Sequence, residues 1–318
     1  MPPHPLPAVS VLVPAYRCAA YIGDALRSLQ AQTLTDWEAI VVDDGTPDDL
    51  AGAMRAFAGD PRIRLLSTAN GGVAAARNHA LAAARAPYVA LLDGDDTYMP
   101  TYLADMLAAI GDDPAIGFAT CDAVFFGNPR LDGVRFSSVS AMTPPLTLDR
   151  VLARQFKIFG ACLIRTPALR AVGGWTAGLH AAEDLDLWIR LLEHGWHGAV
   201  VPAVLHRYRR RPDSLSAVRM PLLIAEARVY DAAVTRLGGR PEQATARAMR
   251  ARIEAEIAFV EGEELVLAGQ VGAGLRALRR AGSRTRTPAW RLALLAMRIA
   301  PPFAPRFMRW RMAQAARG

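Results

Sequence analysis

Acidic residues follow two apolar runs of the chain at the point where each run stops. Asp43 and Asp44 come directly after residues 37–42, and a second group, Asp-Gly-Asp-Asp at 93–96, comes directly after residues 88–92. A single aspartate in such a place is a common loop or cap residue. In an open α/β sheet, however, ligands bind in the crevice outside the carboxyl ends of the strands. Two acidic groups at neighbouring strand ends therefore predict one shared binding pocket.

The spacing of Asp93 and Asp95, with a glycine between them, suits the binding of a metal ion. Two carboxylates separated by one small residue can both turn toward a single hard cation, which prefers oxygen ligands and accepts phosphate oxygens as well. We therefore expect Asp93 and Asp95 to bind Mg²⁺ or Mn²⁺ with coordination positions left open for a diphosphate.

The elements that would position these acids alternate between strands and helices over the first 110 residues. Apolar runs predict buried strands, and apolar residues at every third or fourth position predict helices. Strands are expected at 9–13, 37–42, 63–66 and 88–92, and helices around 22–29 and 73–84. Near-continuous apolar strands that alternate with helices predict a mostly parallel, buried sheet with helices on both faces.

The remainder of the chain is expected to form two further regions. Residues 115–215 are less regular, with candidate strands at 116–120, 122–126, 161–165 and 198–201 and a helix at 184–194. From about residue 217 the pattern is helical, and two short arginine-rich helices are expected within 288–318 on either side of Pro301 and Pro302. This shift in composition predicts a main α/β domain at 1–216 and a helical region at 217–318.

The net charge of +7 belongs to the C-terminal end of the chain. No acidic residue follows Glu264, whereas eleven arginines do, and removing their charge from +7 leaves −4 for residues 1–264. A domain that binds nucleic acid would need its positive charge on the main domain. The sequence therefore predicts no nucleic-acid partner.

Five short motifs follow one another between residues 9 and 191. They are Val-Ser-Val-Leu-Val-Pro-Ala-Tyr at 9–16, Val-Val-Asp-Asp-Gly-Thr at 41–46, Gly-Gly-Val-Ala-Ala-Ala-Arg-Asn at 71–78, Leu-Leu-Asp-Gly-Asp-Asp at 91–96 and Glu-Asp-Leu-Asp-Leu-Trp-Ile-Arg-Leu at 183–191. In this order they resemble the motifs of family-2 glycosyltransferases. The resemblance implies the GT-A nucleotide-diphospho-sugar transferase fold, a Rossmann-like mixed sheet flanked by helices, here with a helical C-terminal extension. It also implies a metal-dependent, inverting transfer of a sugar, of hexosyltransferase type, to an acceptor hydroxyl.

The resemblance implies a nucleotide-binding role for five residues. Pro14, Ala15 and Tyr16 would lie along the nucleotide base, with the ring of Tyr16 against its face. Asp44 would accept a hydrogen bond from the base, as a carboxylate can from the imide N–H of uracil, and Arg77 would reach toward the nucleotide. UDP is the expected nucleotide of the donor, with GDP and dTDP as alternatives.

The resemblance also implies the residues of the reaction. Asp95 would bind Mn²⁺ or Mg²⁺ directly, while Asp93 would contact either the ribose of the donor or the metal. Asp96 would support this site without binding the ion. Asp184 would remove the proton of the attacking hydroxyl, a role worth ~10²–10⁴-fold in rate, and Glu183 is the alternative base. Acids in the first turn also stabilise a helix, so capping is the competing interpretation of both.

The segment His-Arg-Tyr-Arg-Arg-Arg-Pro-Asp-Ser-Leu-Ser at 206–216 resembles the closing loop of the family. Many relatives carry a histidine that can help to bind the metal at the position of Arg211. Here the guanidinium of Arg211 is expected to contact the diphosphate instead, for which its bidentate geometry is suited. His206 lies five residues earlier, and we interpret it as an ordinary histidine.

The basic tail at 288–318 combines arginines with large apolar side chains. The apolar residues are Trp290, Leu292, Leu294, Leu295, Met297, Ile299, Phe303, Phe307, Met308 and Trp310. Such helices can lie on an anionic membrane, with arginines at the phosphates and aromatic rings at the interface. Packing on the main domain or on a second subunit would produce the same pattern. Contact with a membrane surface would bring a lipid-linked acceptor within reach.

From the sequence we expect a cytoplasmic protein. If the tail binds lipid, we expect it to be a peripheral protein at the inner face of the cell membrane. Residues 1–10 lack the pattern of a signal peptide, and the apolar stretch 292–297 is far too short to span a bilayer. Cys18, Cys121 and Cys162 have no Cys-x-x-Cys spacing and are expected to be reduced, buried thiols.

Three other functions compete with the transferase. A sugar-1-phosphate nucleotidyltransferase would need a glycine-rich loop after the first strand, and a dinucleotide-binding oxidoreductase would need Gly-x-Gly-x-x-Gly there, but the chain has Pro-Ala-Tyr-Arg at 14–17. A catalytically silent nucleotide-sugar-binding protein would keep the fold alone. The complete acidic motifs at 43–44, 93–96 and 183–184 disfavour it, while Arg211 favours it mildly. We therefore expect a glycosyltransferase of polysaccharide or cell-surface glycan biosynthesis with a glycan or lipid-linked acceptor.

Overall fold

The computed structural model describes residues 6–211, 219–285 and 287–315. The chain divides into two compact units, Met1–Ala217 and Val218–Gly318. The domain boundary expected at 216 and the second part of the closing loop, 212–216, lie outside the described residues. Among the residues that are described, the first unit contains all eight strands and the second contains helices.

The first unit is built on one eight-stranded sheet. Its strands are β1 (Val9–Ala15), β2 (Trp37–Asp44), β3 (Ile63–Thr68), β4 (Tyr88–Leu91), β5 (Thr97–Tyr98), β6 (Ile116–Phe126), β7 (Cys162–Arg165) and β8 (His197–Arg209). They are ordered β3-β2-β1-β4-β7-β6-β8-β5. The first four strands in this order run parallel, β7 is antiparallel to both of its neighbours, and β5 is antiparallel to β8. The sheet is therefore mixed, with the parallel part formed by the predicted strand–helix repeat.

Eight α-helices in the described part of the first unit connect and flank these strands. They are α1 (Ile22–Gln30), α2 (Leu50–Met54), α3 (Val73–Ala83), α4 (Tyr102–Ile110), α5 (Phe136–Val139), α6 (Leu148–Leu152), α7 (Thr166–Ala171) and α8 (Glu183–Glu193). In α1 the apolar face predicted by periodicity is buried, and α3 packs against β1 and β2. Cys18, Cys121 and Cys162 are buried and form no disulfide, as expected for packing residues.

Two of the expected strand boundaries are wrong. The segments 116–120 and 122–126 form the single strand β6, and the short strand expected at 198–201 is part of β8, which has 13 residues. The pairing of β6 with β8 shifts register at Cys121 and Asp122. The carboxylate of Asp122 is buried there, where it accepts hydrogen bonds from Oγ of Ser137 at 2.7 Å and Nε of Arg135 at 2.8 Å. The expected gap at Cys121 is thus a point of irregular pairing within one continuous strand.

The second unit consists of five α-helices in the described ranges. They are α9 (Arg219–Arg236), α10 (Glu242–Leu267), α11 (Val271–Arg280), α12 (Pro288–Ile299) and α13 (Ala304–Ala315). Helices α10 and α11 approach closely at two glycines: a Cβ atom on Gly262 would lie 3.0 Å from the carbonyl oxygen of Gly274, and one on Gly274 would lie 2.9 Å from that of Gly262. Small residues at this contact permit the close backbone approach.

The apolar residues of the basic tail divide into a buried and an exposed set. Trp290, Met297 and Met308 belong to the core of the second unit, together with Phe259 and Leu278. The large apolar side chains exposed on α12, α13 and the short turn between them are Leu292, Leu295, Ile299, Phe303, Trp310 and Met312. Within the described residues, no helix combines the length and the apolar character that a membrane crossing requires.

Candidate active site

The carboxyl ends of the neighbouring strands β2, β1 and β4 bring three expected site segments to one edge of the sheet. Pro14 pairs in register with Val42, and Ala15 pairs with Asp43. Beyond the end of β4, the backbone N–H of Gly94 donates to the carbonyl of Pro14 at 3.3 Å. The Asp-Gly-Asp segment at 93–95 therefore lies against the end of β1, which is the edge where sheets of this kind bind ligands.

A glycine is required at position 94 because two segments of backbone approach closely there. A Cβ atom built on Gly94 would lie 2.8 Å from Sγ of Cys18 and 3.2 Å from the carbonyl oxygen of Pro14. A larger residue would push the loop away from β1. Burial and the nearby carboxylate of Asp95 raise the pKa of the Cys18 thiol to about 12, so Cys18 packs beneath the site as a neutral side chain.

Arg77 of α3 brings three acids from two distant segments together. Its guanidinium, whose side chain is only 4% exposed, contacts Oδ1 of Asp93 at 2.9 Å, Oε1 of Glu183 at 3.1 Å and Oδ1 of Asp184 at 2.7 Å. Burial alone would lower the pKa of Arg77, but Asp184, Asp93 and Glu183 together raise it. Arg77 therefore remains charged and links the end of β4 to the beginning of α8.

The two acids at the beginning of α8 lie in an environment that disfavours their charge. Burial raises the pKa of Glu183 to about 7, with Asp184 contributing in the same direction and Arg77 opposing it. Burial also raises the pKa of Asp184, and the charge of Arg77 counters this rise. The pKa of a general base is best placed near the working pH, and burial shifts the pKa of both carboxyl groups upward, in that direction.

Two arginines, one at the end of β8 and one just after it, also contact the loop that follows β4. Nε of Arg211 lies 3.2 Å from Oδ2 of Asp95, and Nε of Arg209 donates to the backbone carbonyl of Asp95 at 2.8 Å. Burial raises the pKa of Asp95 to about 7, with Asp96 and Asp93 adding to the rise and Arg211 opposing it. Burial thus disfavours the charge of Asp95, and the charge of Arg211 offsets this effect only in part.

Asp96 and His206 form a buried pair behind this loop. Nε2 of His206 lies 2.8 Å from Oδ2 of Asp96, and the backbone N–H of Arg209 donates to Oδ1 at 2.7 Å. Burial raises the pKa of Asp96, and His206 acts against that rise. His206 thus holds the loop rather than facing the cleft. This arrangement agrees with the interpretation of His206 as an ordinary histidine and of Asp96 as a support.

The residues expected to bind the nucleotide lie at the ends of β1 and β2. Tyr16 is 41% exposed, whereas Ala15 is buried. The carboxylate of Asp44 is buried and accepts hydrogen bonds from the backbone N–H groups of Gly71 and Gly72 at 2.8 and 2.9 Å. Asp44 therefore anchors the beginning of α3, which carries Arg77. Contacts of Tyr16 and Asp44 with a base stay predictions.

The expected metal ligands are available only in part. In the described ranges no group of three or more His, Cys, Asp or Glu side chains is arranged to hold a metal ion. Asp93 and Asp95 do offer carboxylate oxygens at one loop, and Mg²⁺-type ions are commonly held by one or two carboxylates together with substrate phosphates. The donor set therefore fits a divalent cation on condition that a diphosphate completes its coordination.

Two features of the site were missed by reasoning from the sequence. Arg209 contacts both Asp95 and Asp96, although it appeared only as one arginine in the run 207–211. Asn78 exchanges two hydrogen bonds with the backbone of Trp175, at 2.8 and 2.9 Å, which ties the chain before α8 to α3. Asn78 directly follows Arg77 in the sequence, and this position was the signal that could have indicated a role for Asn78 in the site.

Solved structures of transferases share the fold of this chain. S. aureus TarS 1–349 in complex with UDP-GlcNAc matches with a TM-score of 0.62 and 20% identity, over 96% of this chain and 92% of that one. Mannosyltransferase PcManGT from Pyrobaculum calidifontis, in complex with GDP-Man and Mn²⁺, matches with a TM-score of 0.63 and 21% identity, over 98% of this chain and 85% of that one. The likeness shows that this chain has the fold of these transferases, the GT-A fold.

Comparison of sequences gives the family. The model described as glycosyl transferase family 2 matches residues 10–172, and the chain belongs to this family. The uncharacterized glycosyltransferase EpsJ of Bacillus subtilis (strain 168) is 28% identical over 67% of this chain and 64% of its own length. Chondroitin synthase of Pasteurella multocida (strain Pm70) is 29% identical over 60% of this chain and 20% of its own length. The chain thus spans less than two thirds of EpsJ and about a fifth of the synthase.

Proposed function

We propose that this glycosyltransferase moves a sugar from a nucleoside diphosphate donor, with UDP as the nucleotide, to an acceptor hydroxyl with inversion at the anomeric carbon. The observation that carries the proposal is the meeting of Asp93, Glu183 and Asp184 around the buried Arg77, beside Asp95, at the carboxyl ends of β1 and β4. Relatives that include polysaccharide synthases support a role in polysaccharide or cell-surface glycan biosynthesis.

The donor would lie across the ends of β1 and β2. The exposed ring of Tyr16 offers a stacking surface for the base, with Pro14, Ala15 and Asp44 beside it. TarS 1–349 was solved with UDP-GlcNAc and PcManGT with GDP-Man, which supports a nucleotide-sugar donor and leaves GDP as the alternative nucleotide. The diphosphate would then reach the loop at 93–95.

The departing nucleoside diphosphate gains negative charge as the bond to the anomeric carbon breaks. Mn²⁺ or Mg²⁺ held by Asp95 and Asp93 would supply a Lewis acid that neutralises this charge. Arg211, at the edge of the same loop, is positioned to donate to the phosphate oxygens. Arg77 is engaged with three carboxylates, so its proposed contribution to donor binding is to position Asp93.

Asp184 is the proposed base, with Glu183 as the alternative. Asp184 has a more exposed side chain than Glu183, 29% against 13%, and can therefore meet an acceptor from solvent more readily. Burial and the contact with Arg77 have opposite effects on the pKa of Asp184. The guanidinium would keep Asp184 ionised until the acceptor binds, and burial would favour its uptake of the acceptor proton.

The donor can be identified by incubating the protein with Mn²⁺ and UDP-, GDP- and dTDP-sugars in turn. We expect one of them to raise the melting temperature and to be cleaved to a nucleoside diphosphate, and Asp95→Asn to lose the Mn²⁺-dependent part of both effects. Asp105→Asn, at an exposed position on α4, is the matched control. A nucleotidyltransferase would cleave the nucleotide sugar only when pyrophosphate is added, and would then form a nucleoside triphosphate and a sugar 1-phosphate. A silent binding protein would be stabilised without cleavage. No response to any nucleotide sugar would reject the proposal.

We further propose that residues 1–216 carry the transfer reaction and that the helical region 217–318 provides contact with an anionic membrane surface through 288–318. The exposed residues Leu292, Leu295 and Ile299 form one stripe of α12, and Arg291 and Arg298 are exposed on the same helix. This combination suits the phosphate and upper acyl region of a bilayer. It would place the enzyme at the inner face of the cell membrane, close to a lipid-linked acceptor.

A further inference from the structure

Gly160 lies beside the carboxylate of the proposed base. It comes just before β7, and β7 runs antiparallel to β4 with Leu163 paired to Ala90, so the beginning of β7 lies at the edge of the sheet where β4 ends. A Cβ atom built on Gly160 would lie 2.9 Å from Oδ2 of Asp184. Apart from the chain neighbours of Gly160, Asp184 is the only described residue with an atom within 4 Å of that position. The space in front of this oxygen is therefore bordered by a residue without a side chain.

The backbone does not require a glycine at position 160. Gly160 lacks the positive φ that favours glycine, so other residues could adopt the same backbone conformation. The segment is also held in place, because Phe159 and Ala161 are buried. The carbonyl oxygen of Phe159 accepts hydrogen bonds from Sγ of Cys162 at 3.1 Å and from Oγ1 of Thr120 at 3.4 Å. The distinguishing property of Gly160 is thus the space that its missing side chain leaves.

The two carboxylate oxygens of Asp184 have different neighbours. Oδ1 accepts a hydrogen bond from Nη1 of Arg77 at 2.7 Å, whereas Oδ2 faces the backbone of Gly160. Burial raises the pKa of Asp184, and the charge of Arg77 and the side chain of Trp175 act against this rise. A carboxylate offers about four acceptor positions, so Oδ2 can accept a further hydrogen bond while Arg77 holds Oδ1.

We propose that Gly160 forms the opening through which the acceptor hydroxyl reaches Oδ2 of Asp184. A general base must lie within about 2.6–3.2 Å of the oxygen whose proton it removes, and the position of the missing Cβ atom is 2.9 Å from Oδ2. A side chain at position 160 would therefore occupy a place that the acceptor oxygen can take. This inference rests on the proposed function, with Asp184 as the base, and adds the point at which the acceptor enters.

A side chain at position 160 would also disturb the base itself. The backbone of the segment is anchored, and turning the carboxylate of Asp184 away from Gly160 would disturb its contact with Arg77, which also holds Asp93 and Glu183. Either the opening closes or Asp184 moves, and a displacement of about 1 Å can cost about 10²-fold in rate. Both outcomes impair the reaction and leave the expected nucleotide-binding residues at the ends of β1 and β2 unchanged.

The test compares Gly160→Ala with Gly59→Ala in the whole chain. Gly59 is exposed, and within the described ranges a Cβ atom on it would meet no atom within 4 Å, so it is the matched control. Turnover is measured as hydrolysis of the nucleotide sugar that the wild type cleaves, with water as the acceptor. Access to Asp184 is measured without any donor: a water-soluble carbodiimide couples glycine ethyl ester to open carboxyl groups, and peptide mass spectrometry locates the label.

We expect Gly160→Ala to lower the turnover number by about 10²-fold with an unchanged KM for the donor, and to lose most of the label on Asp184. Gly59→Ala should match the wild type in both measurements, and melting temperatures establish that each variant is folded. A turnover number equal to that of Gly59→Ala would overturn the inference, and so would a wild-type protein in which Asp184 takes no label. Failure of the proposed function looks different: the wild type itself would cleave no nucleotide sugar, while the labelling would still report whether Gly160 leaves Asp184 open.

Discussion

Arginine side chains lie in contrasting surroundings in the two units of the chain. In the first unit, Arg77 and Arg211 are largely buried and contact carboxylates at 2.7–3.2 Å. In the second unit, Arg291 and Arg298 of α12 are exposed among exposed apolar side chains, and the sequence has no acidic residue after Glu264. The paired arginines of the first unit hold acids in place, whereas the exposed arginines of α12 offer positive charge to the solvent. We base the proposed roles of the two sets on this contrast, the first in the reaction and the second in contact with an anionic surface.

The largest effect should come from removing the proposed base of the first unit. Asp184→Asn keeps the size of the side chain but cannot accept a proton, so we expect the turnover number to fall by ~10²–10⁴-fold. Binding of the nucleotide and of anionic liposomes should not change, and steady-state kinetics with liposome flotation would measure all three. Glu183→Gln is the companion variant. If it alone abolishes turnover, the roles of the two acids are reversed.

The next largest effect should be a loss of stability on replacing Arg77, the arginine that contacts this base. Arg77→Met leaves Asp93, Glu183 and Asp184 without their shared counter-ion, and breaking a buried ion pair in this way costs about 3–5 kcal/mol of unfolding free energy. Chemical denaturation would measure the loss. Arg27→Met is the control, because its partner Asp24 is 47% exposed and the exposed pair should contribute little. A stability equal to that of wild type would mean that Arg77 does not organise the site.

An intermediate effect is expected for the exposed apolar stripe of the second unit. Leu295→Glu with Ile299→Glu removes two side chains that would enter a bilayer and adds negative charge, and each apolar side chain is worth about 1.5–3 kcal/mol when buried. Binding to vesicles with anionic lipid should fall by more than about tenfold, while donor cleavage in solution is retained. Deleting 288–318 would be a poorer test because Trp290, Met297 and Met308 belong to the core.

The control for that experiment is another exposed apolar residue of the same unit. Ile224 of α9 is 42% exposed, and Ile224→Glu changes the charge without touching the stripe on α12. Vesicle binding should then remain at the wild-type level. Equal losses in both variants would show that overall charge, rather than the stripe, governs vesicle binding. The proposed role of the stripe of the second unit in surface binding would then be rejected.

The smallest effect should be a dependence of stability on pH. The pKa of Asp95 is raised from 3.8 to about 7 in the folded protein. The free energy of unfolding should therefore fall as the pH rises from about 4 to 7, because Asp95 ionises more readily in the unfolded chain. Asp95→Asn should therefore be more stable than wild type at pH 8, by about 1 kcal/mol or more, and equally stable at pH 4. Asp60 has the opposite sign, because hydrogen bonds from Arg62 lower its pKa, and Asp60→Asn should be destabilised at pH 8. The same sign in both variants would exclude this account.

The parallel half of the sheet and most of the candidate site could be predicted from short segments. Strands β1, β2 and β4 are near-continuous apolar runs, and the acids at the end of β2 and after β4 are adjacent to these runs in sequence. Helix α1 shows its buried face at the helical period. These features depend on residues within a few positions of one another, which is the range over which sequence patterns are informative.

The pairing of charges could not be predicted in the same way. The resemblance indicated that Arg77 reaches toward the nucleotide, whereas its guanidinium contacts Glu183 and Asp184, which are 106 and 107 positions away in sequence. Likewise, the run of arginines at 207–211 did not indicate which of them would meet Asp95. Which residues form such a pair depends on how the chain folds between them, and a local sequence pattern does not indicate that fold.

The residue types and their spacing by themselves determined that acids follow apolar runs, that a glycine separates Asp93 from Asp95, and that the excess of positive over negative charge lies at the end of the chain. Only the tertiary structure decided which arginine neutralises which acid, that β6 is one strand, and that Trp290 is buried while Leu292 is exposed. The physical reason is that period and composition depend on neighbouring residues, whereas burial and ion pairing depend on groups that meet only when distant parts of the chain pack together.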